Sequence, residues 1–329
     1  MKERPEELFS PALRNDLVEL IAGAFGSDGI DELGQLAFGK YSSHDIAGED
    51  SHITISRRRA AQLLVEQAEQ REHLAAIVRL IAELDGGIFR GKQLNVTGIE
   101  AFFNSLAKIG VVYDPNKRRL YHTKEDIKTL KNWGSLRDGK TYSISVISVD
   151  IVQNSVLVRE HGTRTMEKLY FLLRRFLGRK LADYDGRVWN WAGDGGILAF
   201  AFADNVNRAV KCAIDIQTSL PLFNTSPENP VNRRVALRTA VDTGRVRFYS
   251  DTGRIVSDII NYAAHLEKAA TEPGRISISE RVISGTDPKI LSIFGDEGHF
   301  EGFPYRTTTR RLDLLFADAE GCEEDEATA

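Results

Sequence analysis

The stretch SISVISV, from Ser143 to Val149, runs directly into Asp150 and decides how the second half of the chain is interpreted. Serine and β-branched residues largely alternate over these positions, and a period of two is typical of a β-strand. A second aspartate, Asp194, lies in the turn Gly193-Asp194-Gly195-Gly196, between apolar segments at 188–191 and 197–202 that also have strand character. Aspartate is uncommon within strands, so two aspartates at strand ends need an explanation.

The rest of this half alternates between helical and extended patterns. Helices are predicted at about 157–181, 204–219 and 258–269, and strands at 235–241, 245–250 and 275–278. Helices that alternate with strands, together with one hairpin, predict an α+β domain with a mixed sheet over residues 141–316.

The N-terminal part of the chain has a different pattern. Residues 11–84 carry apolar side chains at helical spacing, and no strand pattern occurs before residue 90. Ser56 is predicted to cap the start of one helix, and Gly86-Gly87 to end the last one. The sequence therefore predicts a small all-helical domain over residues 8–86.

Residues 87–140 are predicted to form a connector. It is expected to contain a helix at 98–109, extended pieces at 111–113 and 119–121 joined by the turn Asp114-Pro115-Asn116, and a lysine-rich helix at 124–132. A winged-helix domain is the alternative interpretation of this segment.

The composition, 42% hydrophobic and 27% charged, is that of an average globular protein. A net charge of −4 gives no electrostatic reason to expect a nucleic-acid partner. No apolar run reaches the roughly 18 residues that cross a bilayer, and the N-terminus lacks the apolar core of a signal peptide. Cys212 and Cys322 are too few for a disulfide framework. We therefore expect a reduced, cytoplasmic protein without a membrane span, ending in a disordered acidic tail at 317–329.

The aspartate pair has two interpretations. Each aspartate alone could simply begin a turn. Two carboxylates a few ångströms apart, however, repel each other unless they share a proton or a cation. Hard divalent ions such as Mg²⁺ prefer such oxygen ligands and often bind together with phosphates. The glycines beside Asp194 would let a triphosphate approach the backbone closely.

Four stretches of residues 141–316 resemble, in order and at matching spacing, the catalytic domain of class III adenylate and guanylate cyclases. The stretches are Ser148-Val149-Asp150-Ile151-Val152, Ala192-Gly193-Asp194-Gly195, Thr239-Ala240-Val241-Asp242-Thr243-Gly244-Arg245-Val246 and Ile260-Asn261-Tyr262-Ala263-Ala264-His265-Leu266-Glu267. The resemblance implies a ferredoxin-like βαββαβ core. It also implies that a nucleoside triphosphate is cyclised with the help of two divalent metal ions, Mg²⁺ or Mn²⁺.

The same resemblance implies roles for individual residues. Asp150, Asp194 and the carbonyl of Ile151 would hold the metal ions. The phosphates would be wrapped by the next four residues, Val152, Gln153, Asn154 and Ser155. Active sites of this family form between two head-to-tail protomers, so a homodimer is implied. Asn261 matches the asparagine that orients the ribose from the second protomer, and Arg245 is placed to meet triphosphate oxygens, unless it is only a solvated arginine after a turn.

Two positions depart from the family where it recognises the base. Purine cyclases use Lys and Asp, or Glu and Cys, where this chain has Asn190 and Arg254. A guanidinium has donors only and therefore suits carbonyl groups such as those of uracil. This combination is closest in type to the bacterial antiphage Pycsar pyrimidine cyclases, which implies UTP as the substrate and cUMP as the product. The neighbouring Trp189 and Trp191 are expected to pack in the core.

Two further departures affect the phosphate-binding cations of the family. Its arginine four residues after the asparagine is His265 here, and its late lysine is Glu301. Loss of two cations should weaken stabilisation of the transition state. A purine cyclase of ordinary signalling and an inactive nucleotide-binding regulator are therefore kept as alternatives.

Residues 11–84 resemble the effector-associated domains of bacterial conflict systems, which are small death-fold-like helical bundles. The resemblance is carried by Leu13-Arg14-Asn15-Asp16-Leu17 with Ala24-Phe25, and by Leu63-Leu64-Val65-Glu66-Gln67-Ala68-Glu69-Gln70 with Leu74. It implies docking to an effector or partner protein with a similar domain. A bundle that only stabilises the dimer is the alternative.

Overall fold

The computed structural model describes residues 9–50, 52–114 and 117–314. The chain divides into two compact units, residues 1–137 and 138–329. Residues 115–116 of the predicted turn Asp114-Pro115-Asn116, and the predicted acidic tail at 317–329, which includes Cys322, lie outside the described residues.

The first unit begins with five helices, which confirms the helical pattern of the N-terminal sequence. They are α1 (Pro11–Ala24), α2 (Ser27–Phe38), α3 (Ser43–Ala47), α4 (Arg57–Gln70) and α5 (Leu74–Leu84). Ser56 caps α4 as predicted, since its side chain accepts a hydrogen bond from the N–H of Arg59. Ser42 caps the short helix α3 by accepting a hydrogen bond from the N–H of Asp45.

The core of the first unit continues beyond these helices. Strands β1 (Ile88–Phe89) and β2 (Lys92–Gln93), helix α6 (Ile99–Lys108), and strands β3 (Val111–Asp114) and β4 (Arg119–His122) follow in order. Phe102, Phe103 and Val111 belong to the same buried cluster as Leu17 and Ile21 of α1. Part of the predicted connector therefore contributes to the apolar core of the first unit.

The lysine-rich helix predicted at 124–132 is wrong. In its place the structure has a single 3₁₀ turn, Ile127–Thr129. The side chain of Asp126 accepts a hydrogen bond from the N–H of Lys128 and closes this tight turn. Ile127 and Leu130 are the only aliphatic side chains of the segment, so a helix there would have little apolar surface to bury.

The second unit is built on a seven-stranded sheet. Its strands are β5 (Thr141–Ile151), β6 (Arg187–Ala192), β7 (Gly195–Ala201), β8 (Leu237–Arg247), β9 (Ile276–Ser279), β10 (Phe294–Phe300) and β11 (Phe303–Thr308). They lie in the order β10-β11-β9-β8-β5-β7-β6, and only β8 and β9 pair in parallel. The four strands β8-β5-β7-β6 have the strand order of a ferredoxin-like βαββαβ core, which confirms the predicted α+β fold.

Helices cover both faces of this sheet. The helices are α7 (Asn154–His161), α8 (Thr163–Asp183), α9 (Asn205–Asn224), α10 (Asp258–Ala270), α11 (Glu280–Gly285) and α12 (Pro288–Leu291). Val241 of β8 packs in the cluster that includes α8 and α9. The preceding residue, Ala240, packs with Tyr262 and Leu266 of α10. Because successive strand residues point to opposite faces, α10 lies on the face opposite α8 and α9.

Two predicted elements differ in detail. The helix expected at 157–181 is divided at Gly162, whose φ of +79° favours glycine. The two strands expected at 235–241 and 245–250 are one continuous strand, β8. Asp242 lies between the two predicted strands. In the structure it is inside β8, fully buried and hydrogen bonded to Ser279 and Arg281. Among the helices that the structure describes, none is long and apolar enough to cross a membrane.

Candidate active site

The structure brings Asp150 and Asp194 together at one end of the sheet. Asp150 lies opposite Gly195 in the β5–β7 pairing, and the N–H of Ile151 donates to the carbonyl oxygen of Asp194 at 3.3 Å. A Cβ atom on Gly195 would lie 2.8 Å from Oδ1 of Asp150 and 2.7 Å from the carbonyl oxygen of Val149. Glycine is therefore required at position 195, because any side chain would collide with the Asp150 carboxylate and its strand.

The two carboxylates influence each other. The pKa of Asp194 is raised by burial and by the negative charge of Asp150, while hydrogen bonding, including one from Asn154, and the charge of Arg238 act in the opposite direction. A cation bound between the carboxylates would remove this repulsion. Within the described residues no cluster of three or more His, Cys, Asp or Glu side chains is arranged to hold a metal ion. A metal site here would therefore use two carboxylates completed by backbone, phosphate or water oxygens, which is the donor set that Mg²⁺ prefers.

A third and a fourth charged residue at this site were not predicted from the sequence. Arg238 of β8 lies directly opposite Asp150 of β5, and its Nη2 is 2.9 Å from Oδ2 of Asp150. Its Nε is 2.8 Å from Oε1 of Glu267 on α10. Burial and the charge of Asp150 raise the pKa of Glu267 to about 7, against the opposing effect of Arg238. A cross-strand contact of this kind depends on the register of β5 against β8, which no local sequence pattern shows.

The predicted phosphate-binding loop lies between β5 and α7. Gln153, which precedes α7, has a left-handed backbone conformation, and no side chain of the described residues caps this helix. The N–H groups of Asn154 and Ser155 lie in the first helical turn, where intrahelical acceptors are lacking. Val152 was also predicted to bind phosphate, but its N–H donates to the carbonyl oxygen of Ala236 at 3.0 Å.

Asn154 has a second function in this loop. It lies near the carboxylate of Asp194 and lowers the pKa of that group. Its Oδ1 also accepts a hydrogen bond of 2.7 Å from the hydroxyl of Tyr170 on α8. The loop is thereby held against α8, beside the aspartate turn. Tyr170 was not predicted, since an aromatic residue at helical spacing is ordinarily a core residue.

The two predicted base-recognition residues lie on elements that contact each other. Asn190 is exposed on β6, and Arg254 is exposed in the 3₁₀ turn Thr252–Arg254. The buried hydroxyl of Thr252 donates to the carbonyl oxygen of Trp189, the residue before Asn190. This contact ties the Arg254 turn to the Asn190 strand.

The neighbouring tryptophans serve as packing residues, as expected. Trp189 is 1% exposed and packs on Phe248, with ring centroids 5.9 Å apart. Trp191 is half-buried, packs against the core cluster of α8 and α9, and donates its indole N–H to the carbonyl oxygen of Gly193 at 2.9 Å. It therefore also helps to fix the turn that presents Asp194.

Asn261 lies in a separate cavity of about 450 Å³. The cavity is also lined by Tyr262, His265, Arg281 and Glu301, and by neither Asp150 nor Asp194. Asn261 precedes Glu267 by six residues, which is about 9 Å along the axis of α10. Since Glu267 is the residue of α10 that reaches the Arg238–Asp150 pair, Asn261 is displaced from its own chain's aspartates.

Arg245 is also remote from the aspartates of its own chain. It lies on β8 seven residues beyond Arg238, the residue opposite Asp150, and seven extended residues span about 23 Å. The side chain is exposed. Asp150 and Asp194 thus lie at one end of the sheet, whereas Arg245 lies towards the other end of β8 and Asn261 lies in the first turn of α10.

Comparisons with known proteins give only structural neighbours. No family model and no curated protein matches the sequence. A guanylate cyclase domain from Catenaria anguillulae in complex with GTP is 19% identical, with 52% of this chain and 99% of that chain covered and a TM-score of 0.45. An adenylyl cyclase from P. aeruginosa is 19% identical (54% and 98% covered, TM-score 0.44). An adenylate/guanylate cyclase/hydrolase from Silicibacter pomeroyi is 24% identical (51% and 95% covered, TM-score 0.42). Similarity at these values does not assign a function to this chain.

Proposed function

We propose that the second unit is the catalytic domain of a class III nucleotide cyclase, which converts a nucleoside triphosphate into a 3′,5′-cyclic nucleotide and pyrophosphate. The observation that carries the proposal is the Asp150–Asp194 pair on adjoining strand ends, with Gly195 leaving room for the Asp150 carboxylate. Two aspartates that only began turns would not require a glycine at position 195. The two carboxylates carry the charge needed to bind divalent cations beside a triphosphate.

The proposed reaction has one bond-forming and one bond-breaking event. The ribose 3′-oxygen attacks the α-phosphorus, the bond from that phosphorus to the β-phosphate oxygen breaks, and the 3′-hydroxyl proton is released. Mg²⁺ or Mn²⁺ ions, two by the family resemblance, would lower the pKa of the 3′-hydroxyl and balance the triphosphate charge. Asp150, Asp194 and the Ile151 carbonyl would hold these ions. The N–H groups of Asn154 and Ser155 would donate to phosphate oxygens.

We further propose that a complete active site needs two copies of the chain. The separation of Asn261 from Asp150 and Asp194 within one chain supports this, because a residue that orients the ribose must lie near the metal-bound nucleotide. Arg245 likewise lies far from the two aspartates of its own chain. In a head-to-tail homodimer, the aspartates of one protomer would meet Asn261, Asn190 and Arg254 of the other.

UTP is the substrate that we propose. The contact between Thr252 and Trp189 supports a pocket in which Arg254 and Asn190 act together. Arg254 offers donors to the uracil carbonyls, and the Asn190 amide can donate or accept. Competition among equimolar ATP, GTP, CTP and UTP with Mn²⁺, read by mass spectrometry of the cyclic products, tests this proposal. Preference for ATP or GTP would favour a purine cyclase of ordinary signalling.

One observation favours a second candidate, an inactive nucleotide-binding regulator. His265 and Glu301 occupy the two positions where the family has phosphate-binding cations, and they contact each other at 2.9 Å. Among the described lining residues of this cavity the one Lys or Arg is Arg281, which already pairs with Asp242 and Asp258, so the cavity offers little positive charge to a triphosphate. Nucleotide binding without any cyclic product in the same assay would support this candidate.

The physiological proposal follows from the resemblance to Pycsar cyclases. We propose that the cyclic nucleotide is an antiphage second messenger made in the cytoplasm, and that the first unit docks an effector or partner protein. Infection of cells that express wild-type protein or Asp194→Asn tests the first part. Equal phage titres with both proteins would contradict it.

A further inference from the structure

Asp150 has two carboxylate oxygens with different surroundings. Oδ2 is bound by Arg238, while Oδ1 lies over Gly195 on the side of the Asp194 turn. A metal ion that used both oxygens would therefore compete with the Arg238 guanidinium for Oδ2. Arg238 is mostly buried, with 23% of its side chain exposed, so its positive charge is only partly screened by water.

Glu267 offers Arg238 a second partner. Its side chain is only 6% exposed, and an ionised carboxylate at that burial needs a counter-charge. Oε1 of Glu267 is 2.8 Å from Nε of Arg238, but the two atoms do not meet the geometry of a hydrogen bond, and within the described part of the chain neither makes another one. The guanidinium thus lies between the two carboxylates, hydrogen bonded to Asp150 through Nη2 and in ion-pair contact with Glu267 through Nε.

We infer that Glu267 is a positioning residue of the metal site, which draws Arg238 away from Asp150 and so lets Asp150 bind the divalent ions. The inference rests on the proposed function, since it requires metal binding at Asp150. When a cation binds, it repels the guanidinium, and Arg238 turns to complete its hydrogen bond with Glu267.

Glu267 also connects the aspartate pair with the helix that carries Asn261. Glu267 and Asn261 lie on one helix, α10, which packs on β8 through Leu266. Through Arg238, this helix is linked to Asp150 of its own chain, and through Asn261 it would serve the nucleotide of the second protomer. Metal loading of one site is thereby coupled to the helix that completes the other.

Binding of Mn²⁺ to the full-length chain, without nucleotide, tests the inference. Loss of the free-ion electron paramagnetic resonance signal measures the affinity, and the Asp150→Asn variant defines binding elsewhere on the protein. Glu267→Gln should raise the Kd by about 10- to 100-fold, the usual effect of losing a residue that supports a metal ligand. Arg238→Gln in the Glu267→Gln background should restore the Kd to near the wild-type value, because the competing charge is gone.

Glu228→Gln is the matched control, since it removes one negative charge from an exposed carboxylate that pairs with Arg175 and makes no contact with Arg238. Thermal melts verify that each variant folds. If Glu267→Gln does not fold, Arg238→Gln alone should bind Mn²⁺ at least as tightly as wild type, and a tenfold loss would overturn the inference.

The outcomes separate the inference from the proposed function. Equal affinities of wild type and Glu267→Gln, or a double variant as weak as Glu267→Gln, overturn the inference alone. A wild-type chain that binds no more Mn²⁺ than Asp150→Asn overturns both, because the metal assignment itself is then wrong.

Discussion

His265 and Glu301, the two positions where the chain lacks cations of the family it resembles, are in direct contact: Nδ1 of His265 lies 2.9 Å from Oε1 of Glu301. Both line the cavity of Asn261. The two differences from the family therefore occur at one place in the structure. There, a contact between a histidine and a carboxylate replaces two positive charges.

Restoring the cations should accelerate the reaction. We expect the His265→Arg/Glu301→Lys variant to raise kcat/KM for UTP by about tenfold or more, because two charges would then face the developing charge on the phosphates. Steady-state rates of cyclic nucleotide formation measure this. Glu297→Lys is the control for the change in charge, since Glu297 pairs with Arg306 and does not line the cavity. Unchanged kinetics in the double variant would show that this pair does not face the substrate.

The shared site predicts complementation. Asp150→Ala and Asn261→Ala should each abolish cyclisation, and a mixture of the two should recover about a quarter of the wild-type rate. Random exchange makes half of the dimers mixed, and each mixed dimer has one intact site of two. If subunit exchange is demonstrated by differently tagged copies and no activity returns, the two-chain site is wrong.

Arg254 should determine base preference. Arg254→Ala is expected to lower kcat/KM for UTP by about 10- to 100-fold and to affect ATP and GTP little, since a base carbonyl would lose its hydrogen-bond donor. Arg247→Ala, which removes an exposed arginine near the Tyr249 ring on the neighbouring stretch of chain, is the control. Equal losses for all four nucleotides would assign Arg254 a role other than base recognition.

The pKa of Glu267 predicts a pH dependence of stability. Its pKa of about 7 is above the ordinary value of 4.5, so between these pH values the folded state keeps a proton that the unfolded state has released. Stability should therefore fall as the pH rises from about 4.5 to 7, by up to about 3 kcal/mol, and the loss should be constant above that range. Glu267→Gln should lack this loss.

Urea unfolding at several pH values, followed by tryptophan fluorescence, measures the difference between Glu267→Gln and wild type. Two of the three tryptophans, Trp189 and Trp191, report on the second unit. Glu228→Gln should follow the wild-type pH profile. A constant difference between Glu267→Gln and wild type from pH 4.5 to 7 would contradict the account of Glu267.

The fold of the second unit was predictable because its strands carry clear local patterns. β5 and the Gly-rich turn after β6 place Asp150 and Asp194 at strand ends, and the register brings them together. The contacts of Arg238 with Glu267, and of Thr252 with Trp189, join residues far apart in sequence, so no local pattern contains them. The continuity of β8 was missed for a similar reason: Asp242 is tolerated inside the strand because distant Ser279 and Arg281 satisfy its carboxylate.

The central claim, a cyclase that depends on two aspartates, is tested most directly by product formation from UTP and Mn²⁺ by wild type, Asp150→Asn and Asp194→Asn. The account predicts that wild type releases pyrophosphate and a 3′,5′-cyclic nucleotide in equal amounts, identified by mass spectrometry. Both variants should lose the activity at least a hundredfold while keeping the wild-type thermal melt. Cyclic product from either folded variant at near the wild-type rate, or none from wild type with any of the four nucleotides, would contradict it.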